Sequence, residues 1–177
     1  MPAAHTQTAG PTPPLIITMG MAGAGKTTFG RVLAERLAVE FLEGDELHPH
    51  ANVEKMRAGI ALDDADRTPW LDAIAGWLTA QRRAGRGGVV SCSALRRRYR
   101  DRLRVAGPLR FVFLELSRDL ARERLRMRTG HYMPASLVES QWETLERPDA
   151  EADVLTLPAD HAVEDLCRRT QQWLASP

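Results

Sequence analysis

Gly20-Met21-Ala22-Gly23-Ala24-Gly25-Lys26-Thr27 fits the pattern G-x-x-x-x-G-K-[ST] at every position. The apolar run Leu15-Ile16-Ile17-Thr18-Met19 before it reads as a buried strand. Phe29, Val32, Leu33 and Leu37 after it follow helical spacing. A strand, a glycine-rich turn and a helix in this order form a phosphate cradle. Glycine permits backbone angles that turn successive N–H groups inward around an anion, and the helix aims its unpaired N–H groups and positive dipole end at the same point. The backbone of Gly20, Ala22, Gly23, Ala24 and Gly25 is therefore the expected phosphate lining. Lys26 reaches the β- and γ-phosphates, the Thr27 hydroxyl suits Mg²⁺, and Thr28 is placed for the α-phosphate. A nucleotide is the implied ligand. No Asn-Lys-x-Asp segment is present to read guanine, which favours ATP over GTP.

The rest of the chain repeats the strand-helix alternation. Phe41-Leu42 ends a second strand, Val89–Cys92 is a third, Phe111–Leu114 a fourth and Asp153–Leu157 a fifth. Helices are expected from near Asn52, from Thr68-Pro69 with Thr68 as cap, over Leu95–Leu103, over Leu120–Met127, and through Val163, Leu166, Cys167, Thr170 and Leu174. Such alternation predicts an α/β fold with a parallel sheet covered on both faces, and ligands at the carboxyl ends of the strands. Residues 1–14 read as a flexible tail and 15–177 as one domain. The 177 residues suit that size, and a formal charge of +1 gives no reason to expect a nucleic-acid or membrane partner. Cys92 and Cys167 are far apart and form no metal or disulfide pattern. With no signal-like segment in the sequence given, a cytoplasmic location is the default expectation.

Behind the second strand lies Phe41-Leu42-Glu43-Gly44-Asp45-Glu46-Leu47-His48-Pro49. In an extended chain Glu43 and Asp45 would point the same way. A carboxylate here can orient an attacking hydroxyl and accept its proton; solvated acids and a capping aspartate are the alternative. Asp63, Asp64 and Asp66 read as a polar turn before a helix rather than a metal site. The arginine run at 96–104 reads mostly as a solvated face, with a nucleotide-dependent binding module as the alternative.

The P-loop followed by Gly-Asp-x-Leu-His-Pro, Asn52-Val53-Glu54-Lys55-Met56 and Gly59 to Leu71 resembles the gluconokinases. So do Cys92-Ser93-Ala94-Leu95, Gly130-His131-Tyr132 and Ser140 to Glu146. Shikimate and adenylylsulfate kinases resemble the chain less, lacking the Ser-Ala-Leu or Leu-His-Pro segments. The resemblance implies a P-loop NTPase fold of the nucleoside-monophosphate-kinase type, with five parallel strands, an acceptor region at about 45–70 and a mobile lid at about 129–146. It implies ATP and Mg²⁺ as cofactors, D-gluconate as acceptor, 6-phospho-D-gluconate as product, and a homodimer. Asp45 is then nearest the reacting hydroxyl, with His48, Lys55, Arg57, Arg67, Arg100 and His131 as acceptor contacts. Arg124 is assigned to the nucleotide and Arg128 to the charge that develops during transfer. Ala22 and Ala24 replace frequent serines, Tyr132 and Trp142 frequent phenylalanines, and Ile60-Ala61 a common Glu-Pro, which leaves a kinase of another small hydroxy acid as the rival reading.

Overall fold

The computed structural model describes residues 12–127 and 135–176. Strand β1 (Leu15–Met19) is buried along its whole length, which its unbroken apolar sequence requires. It runs into the P-loop and α1 (Lys26–Leu37), then β2 (Glu40–Glu43) and a 3-10 turn at Gly44–Leu47. Helices α2 (His50–Arg57) and α3 (Asp64–Arg83) lead to β3 (Gly88–Ser91). Next come α4 (Arg97–Arg104), β4 (Arg110–Glu115), α5 (Arg118–Met127), α6 (Ala135–Thr144), β5 (Val154–Pro158) and α7 (Val163–Ala175). The strands form one parallel sheet in the order β2-β3-β1-β4-β5.

Successive residues of a strand face opposite sides, so β1 feeds two cores. Leu15, Ile17 and Met19 pack with Trp70, Leu71, Ile74 and Leu78 of α3 and with Tyr99 and Leu103 of α4. Ile16 packs on the other face with Phe29 and Leu33 of α1 and Leu166 and Cys167 of α7. The strand order puts β1 between β3 and β4, so the P-loop leaves the middle of the sheet. The turns after β2 and β3 lie to one side of it, at the same carboxyl edge.

One helix start differs from expectation. Helix α3 begins five residues before Pro69, at Asp64, and Thr68 does not cap it. Asp63 is the cap. Its carboxylate accepts from the Asp66 N–H at 2.8 Å while Asp66 accepts from the Asp63 N–H at 3.0 Å. This reciprocal pair satisfies two orphan donors, which one threonine cannot do. Thr68 instead donates its hydroxyl to the Asp64 carbonyl at 2.9 Å. The expected Leu95–Leu103 helix also begins later, at Arg97, because Ala94 takes a left-handed backbone angle of +43° ahead of it.

Candidate active site

The P-loop is built from left-handed glycines. Gly20, Gly23 and Gly25 have φ of +139°, +83° and +87°. At Gly20 a side chain would fail twice, since a Cβ would also sit 2.7 Å from the Leu114 carbonyl oxygen. Helix α1 starts with no side-chain cap and no acid in its first turn, which leaves its N–H groups and dipole to an anion. Lys26 stands at its first position and donates to the Met21 carbonyl at 3.0 Å, folded across the loop. Thr27 and Thr28 follow in the same turn. Arg124 of α5 donates to Gly23 O at 3.3 Å and Ala159 O at 3.0 Å, so it lies directly against the loop. From α6, Gln141 accepts the Ala22 N–H at 2.8 Å.

The acceptor loop is held from below. Trp70 is 1% exposed, and its Nε1 donates to Gly44 O at 2.7 Å. A Cβ at Gly44 would meet the Ser91 carbonyl at 2.1 Å, so only glycine lets the loop come this close to β3. The Ser91 hydroxyl donates to the Glu43 carboxylate. Glu43 and Asp45 therefore do not project side by side from an extended chain. Glu43 is tied down at the end of β2, while Asp45 sits in the following 3-10 turn and is exposed. The Cys92 thiol is fully buried and pushed up to about 12, by burial first, with the Asp45 charge raising it and the Lys26 charge lowering it. The P-loop after β1 and the turn after β2 lie at the same carboxyl edge of the sheet, with β3 and its Cys92 end between them.

The remaining residues expected at the acceptor divide. His48 stacks on Trp70 with ring centroids 4.1 Å apart and 15° between planes. Its pKa is lowered to about 4, by burial and then by the Arg67 charge. Lys55 pairs with Asp66 at 2.6 Å, and that bond raises the lysine and lowers the aspartate. Arg67 donates to Leu62 O at 2.5 Å and to the Tyr99 hydroxyl at 3.3 Å, with its guanidinium 5.5 Å from the Tyr99 ring centre. Arg57 is exposed and pairs with Glu54 at 3.1 Å. Arg128 and His131 lie outside the described residues.

Arg100 requires a correction. It is 1% exposed and its guanidinium is consumed by the protein. It donates to Glu151 at 3.0 Å through Nε, to Ala94 O at 2.9 Å, to Leu95 O at 3.2 Å and to Glu146 O at 3.1 Å. No donor is left for an acceptor molecule, so it works as a structural arginine. Its neighbours are not simply solvated either. Arg96 and Arg98 reach Asp64, Arg102 pairs with Asp72 at 2.6 Å, and Arg104 pairs with Asp153 at 2.8 Å and Asp101 at 2.6 Å. Arg97, Arg98 and Arg102 are nonetheless exposed, so the run is largely a solvated face, laced by ion pairs to α3 and to residues 151–153.

Gln141, Asn52 and Trp70 were missed as site residues by sequence reasoning, although each stands in a segment the resemblance covers. Gln141 touches a residue 119 positions away, and local pattern carries no trace of such a contact. Among the described residues no group of three or more His, Cys, Asp or Glu could hold a metal ion. A single hydroxyl, Thr27, beside a phosphate cradle fits Mg²⁺ of the kind held mainly by substrate phosphates and water. No described helix is long and apolar enough to cross a membrane.

A family profile described as an AAA domain matches residues 15–148. A gluconokinase of Gluconobacter oxydans is 45% identical over 172 residues, covering 94% of this chain and 97% of that protein. Among solved structures, a sugar kinase from Janibacter has a TM-score of 0.86 at 39% identity, covering 93% of this chain and 95% of its own. A gluconokinase from Sinorhizobium meliloti has a TM-score of 0.81 at 39% identity, covering 94% and 100%.

Proposed function

The chain belongs to the gluconokinases, and from that premise we propose how its residues divide the work of moving a phosphoryl group. It is a P-loop kinase that phosphorylates gluconate with ATP. In the proposed mechanism the product is 6-phospho-D-gluconate, formed by in-line attack of the terminal hydroxyl on the γ-phosphorus. The observation that carries this is the left-handed glycine loop running into an uncapped α1 with Lys26 at its first position, in a chain 45% identical to a gluconokinase over nearly its whole length.

The P-loop N–H groups and Lys26 hold the phosphates, and Arg124 braces the loop from α5. Thr27 would hold Mg²⁺, which supplies charge neutralisation at the phosphate oxygens when bound. Thr28 contacts the α-phosphate. Asp45 orients the terminal hydroxyl and takes its proton. His48, Lys55 and Arg67 supply hydrogen bonds and positive charge to the hydroxyls and carboxylate of gluconate. Arg128 and His131 keep the roles the resemblance implies, neutralising the developing charge and contacting the acceptor. Arg57 and Arg100 are left out, the first being turned to Glu54 and the second enclosed by protein. Because the transition state is loose, positioning and charge neutralisation contribute more than proton abstraction. A cytoplasmic homodimer is the setting the resemblance implies.

The test is ADP release with Mg-ATP and a panel of gluconate, other aldonates, shikimate, glucose and nucleoside monophosphates. Stimulation by gluconate alone, with phosphate on its terminal hydroxyl, is the expected outcome. Stronger turnover with another acceptor would overturn the acceptor assignment and point to Ile60-Ala61 as its cause.

A further inference from the structure

Asn52 is polar, yet it is only 3% exposed. It lies in the first turn of α2, between the acceptor loop and the start of α3. Its Nδ2 donates to the Asp66 carbonyl oxygen at 2.7 Å. A carbonyl oxygen can only accept, so this bond decides which way round the amide sits. The same nitrogen lies 3.4 Å from His48 Nδ1. An amide nitrogen can only donate, so Nδ1 of His48 must offer its lone pair. In a neutral imidazole the proton is then on Nε2.

We propose that Asn52 is a positioning residue that fixes the proton of His48 on Nε2, so that the ring serves gluconate as a standing hydrogen-bond donor and never as the base. The proposal rests on the acceptor role of His48 given above. Two further contacts hold the arrangement. The ring is stacked on Trp70, which is itself anchored to Gly44 O, so a ring flip, which would put Cδ2 in the place of Nδ1, would have to break this packing. Adding a proton at Nδ1 would set N–H against N–H at Asn52, in a half-buried place. The charge acting on the ring from α3 is Arg67, also positive, whereas Lys55 of α2 is turned to Asp66. The lowered pKa of His48 agrees with this. The consequence for the reaction is a division of roles within one short loop. His48 can donate to a hydroxyl or carboxylate oxygen but does not take a proton, which leaves that task to a carboxylate of the loop, Asp45 in the mechanism proposed above.

The experiment uses the intact chain labelled with ¹⁵N at histidine, its His48 signals assigned by their loss in His48→Gln. Two-bond proton-nitrogen spectra should show Nδ1 as the unprotonated nitrogen and Nε2 as the protonated one, unchanged through the neutral range. Added gluconate should shift the Nε2 signal. In Asn52→Ala the His48 signals should become a mixture of tautomers. The KM for gluconate should rise roughly 3- to 10-fold, as for one lost hydrogen bond, with kcat and the KM for ATP within about twofold. A wild-type ring protonated at Nδ1, or one that titrates near its ordinary pKa, would overturn the proposal. If the ring is protonated at Nε2 but gluconate leaves its signals unmoved, the acceptor role of His48 falls while the proton placement stands.

Discussion

Replacing Arg100 with methionine keeps an unbranched apolar stem of similar length and removes the guanidinium. The side chains of Arg100 and Glu151 are 1% and 6% exposed, so the carboxylate would be left in the interior with half its partners gone. The carbonyls of Ala94, Leu95 and Glu146 would each lose a donor. Burial works to raise the pKa of Glu151, yet its bonds to Arg100 and Arg104 hold it below the usual carboxylate value. Breaking a buried pair from one side costs about 3–5 kcal/mol. Arg104 stays on Glu151, so the lower end, about 3 kcal/mol, applies. For a domain of this size each kcal/mol moves Tm by about 2–4 °C, which gives a fall of about 6–12 °C. Thermal and urea melts would measure it, with the urea slope unchanged. Kinetics well below the lower Tm should then show a KM for gluconate within about twofold of the parent, because Arg100 has no donor to give a substrate. A variant that melts within a few degrees of the parent but has a KM for gluconate more than tenfold higher would refute the structural assignment.

Lys26→Ala should lose more kcat than Asp45→Asn, since charge neutralisation outweighs proton abstraction in a loose transition state; equal losses in steady-state turnover would contradict that order. Gln141→Leu removes the acceptor for the Ala22 N–H and loosens the P-loop. The expected result is a KM for ATP raised roughly 3- to 10-fold with little change in the KM for gluconate. Acid should destabilise the fold through His48, whose folded pKa of about 4 lies below its ordinary 6.5. Between those values the unfolded chain carries a proton that the folded one refuses, so stability present above pH 6.5 is lost as pH falls toward 4. Discounted for solvent screening this is about 1–2 kcal/mol, and His48→Gln should flatten that part of the stability-pH curve.

The parts of the fold that local chemistry dictates were legible in the sequence. The P-loop needs glycines and a lysine at fixed spacing, and the five strands follow from their apolar runs. The start of α3 was misread because Thr68-Pro69 is a good helix signal, but the Asp63–Asp66 pair five residues earlier satisfies two backbone donors at once. Arg100 was misread for a different reason. An arginine run looks the same whether a member faces water or a buried glutamate, and the partner Glu151 is 51 residues away. Asn52 stood in a segment matched by resemblance, yet its work is set by the Asp66 carbonyl, and a backbone acceptor leaves no mark on sequence.

The place of β1 in the sheet has a consequence for synthesis. Its neighbours are β3, at residues 88–91, and β4, at residues 110–115, so its first partner is the third strand made, and the other flank comes later still. At about 5–20 residues per second, the ribosome takes roughly 4–14 s to add the seventy or so residues between β1 and β3, and a few seconds more to reach β4. For that time Leu15-Ile16-Ile17 has no sheet to enter, and this apolar run is the part of the nascent chain most in need of shelter. Chains arrested before Arg110 should remain open to protease along their whole length, whereas chains arrested once α7 has emerged should resist it.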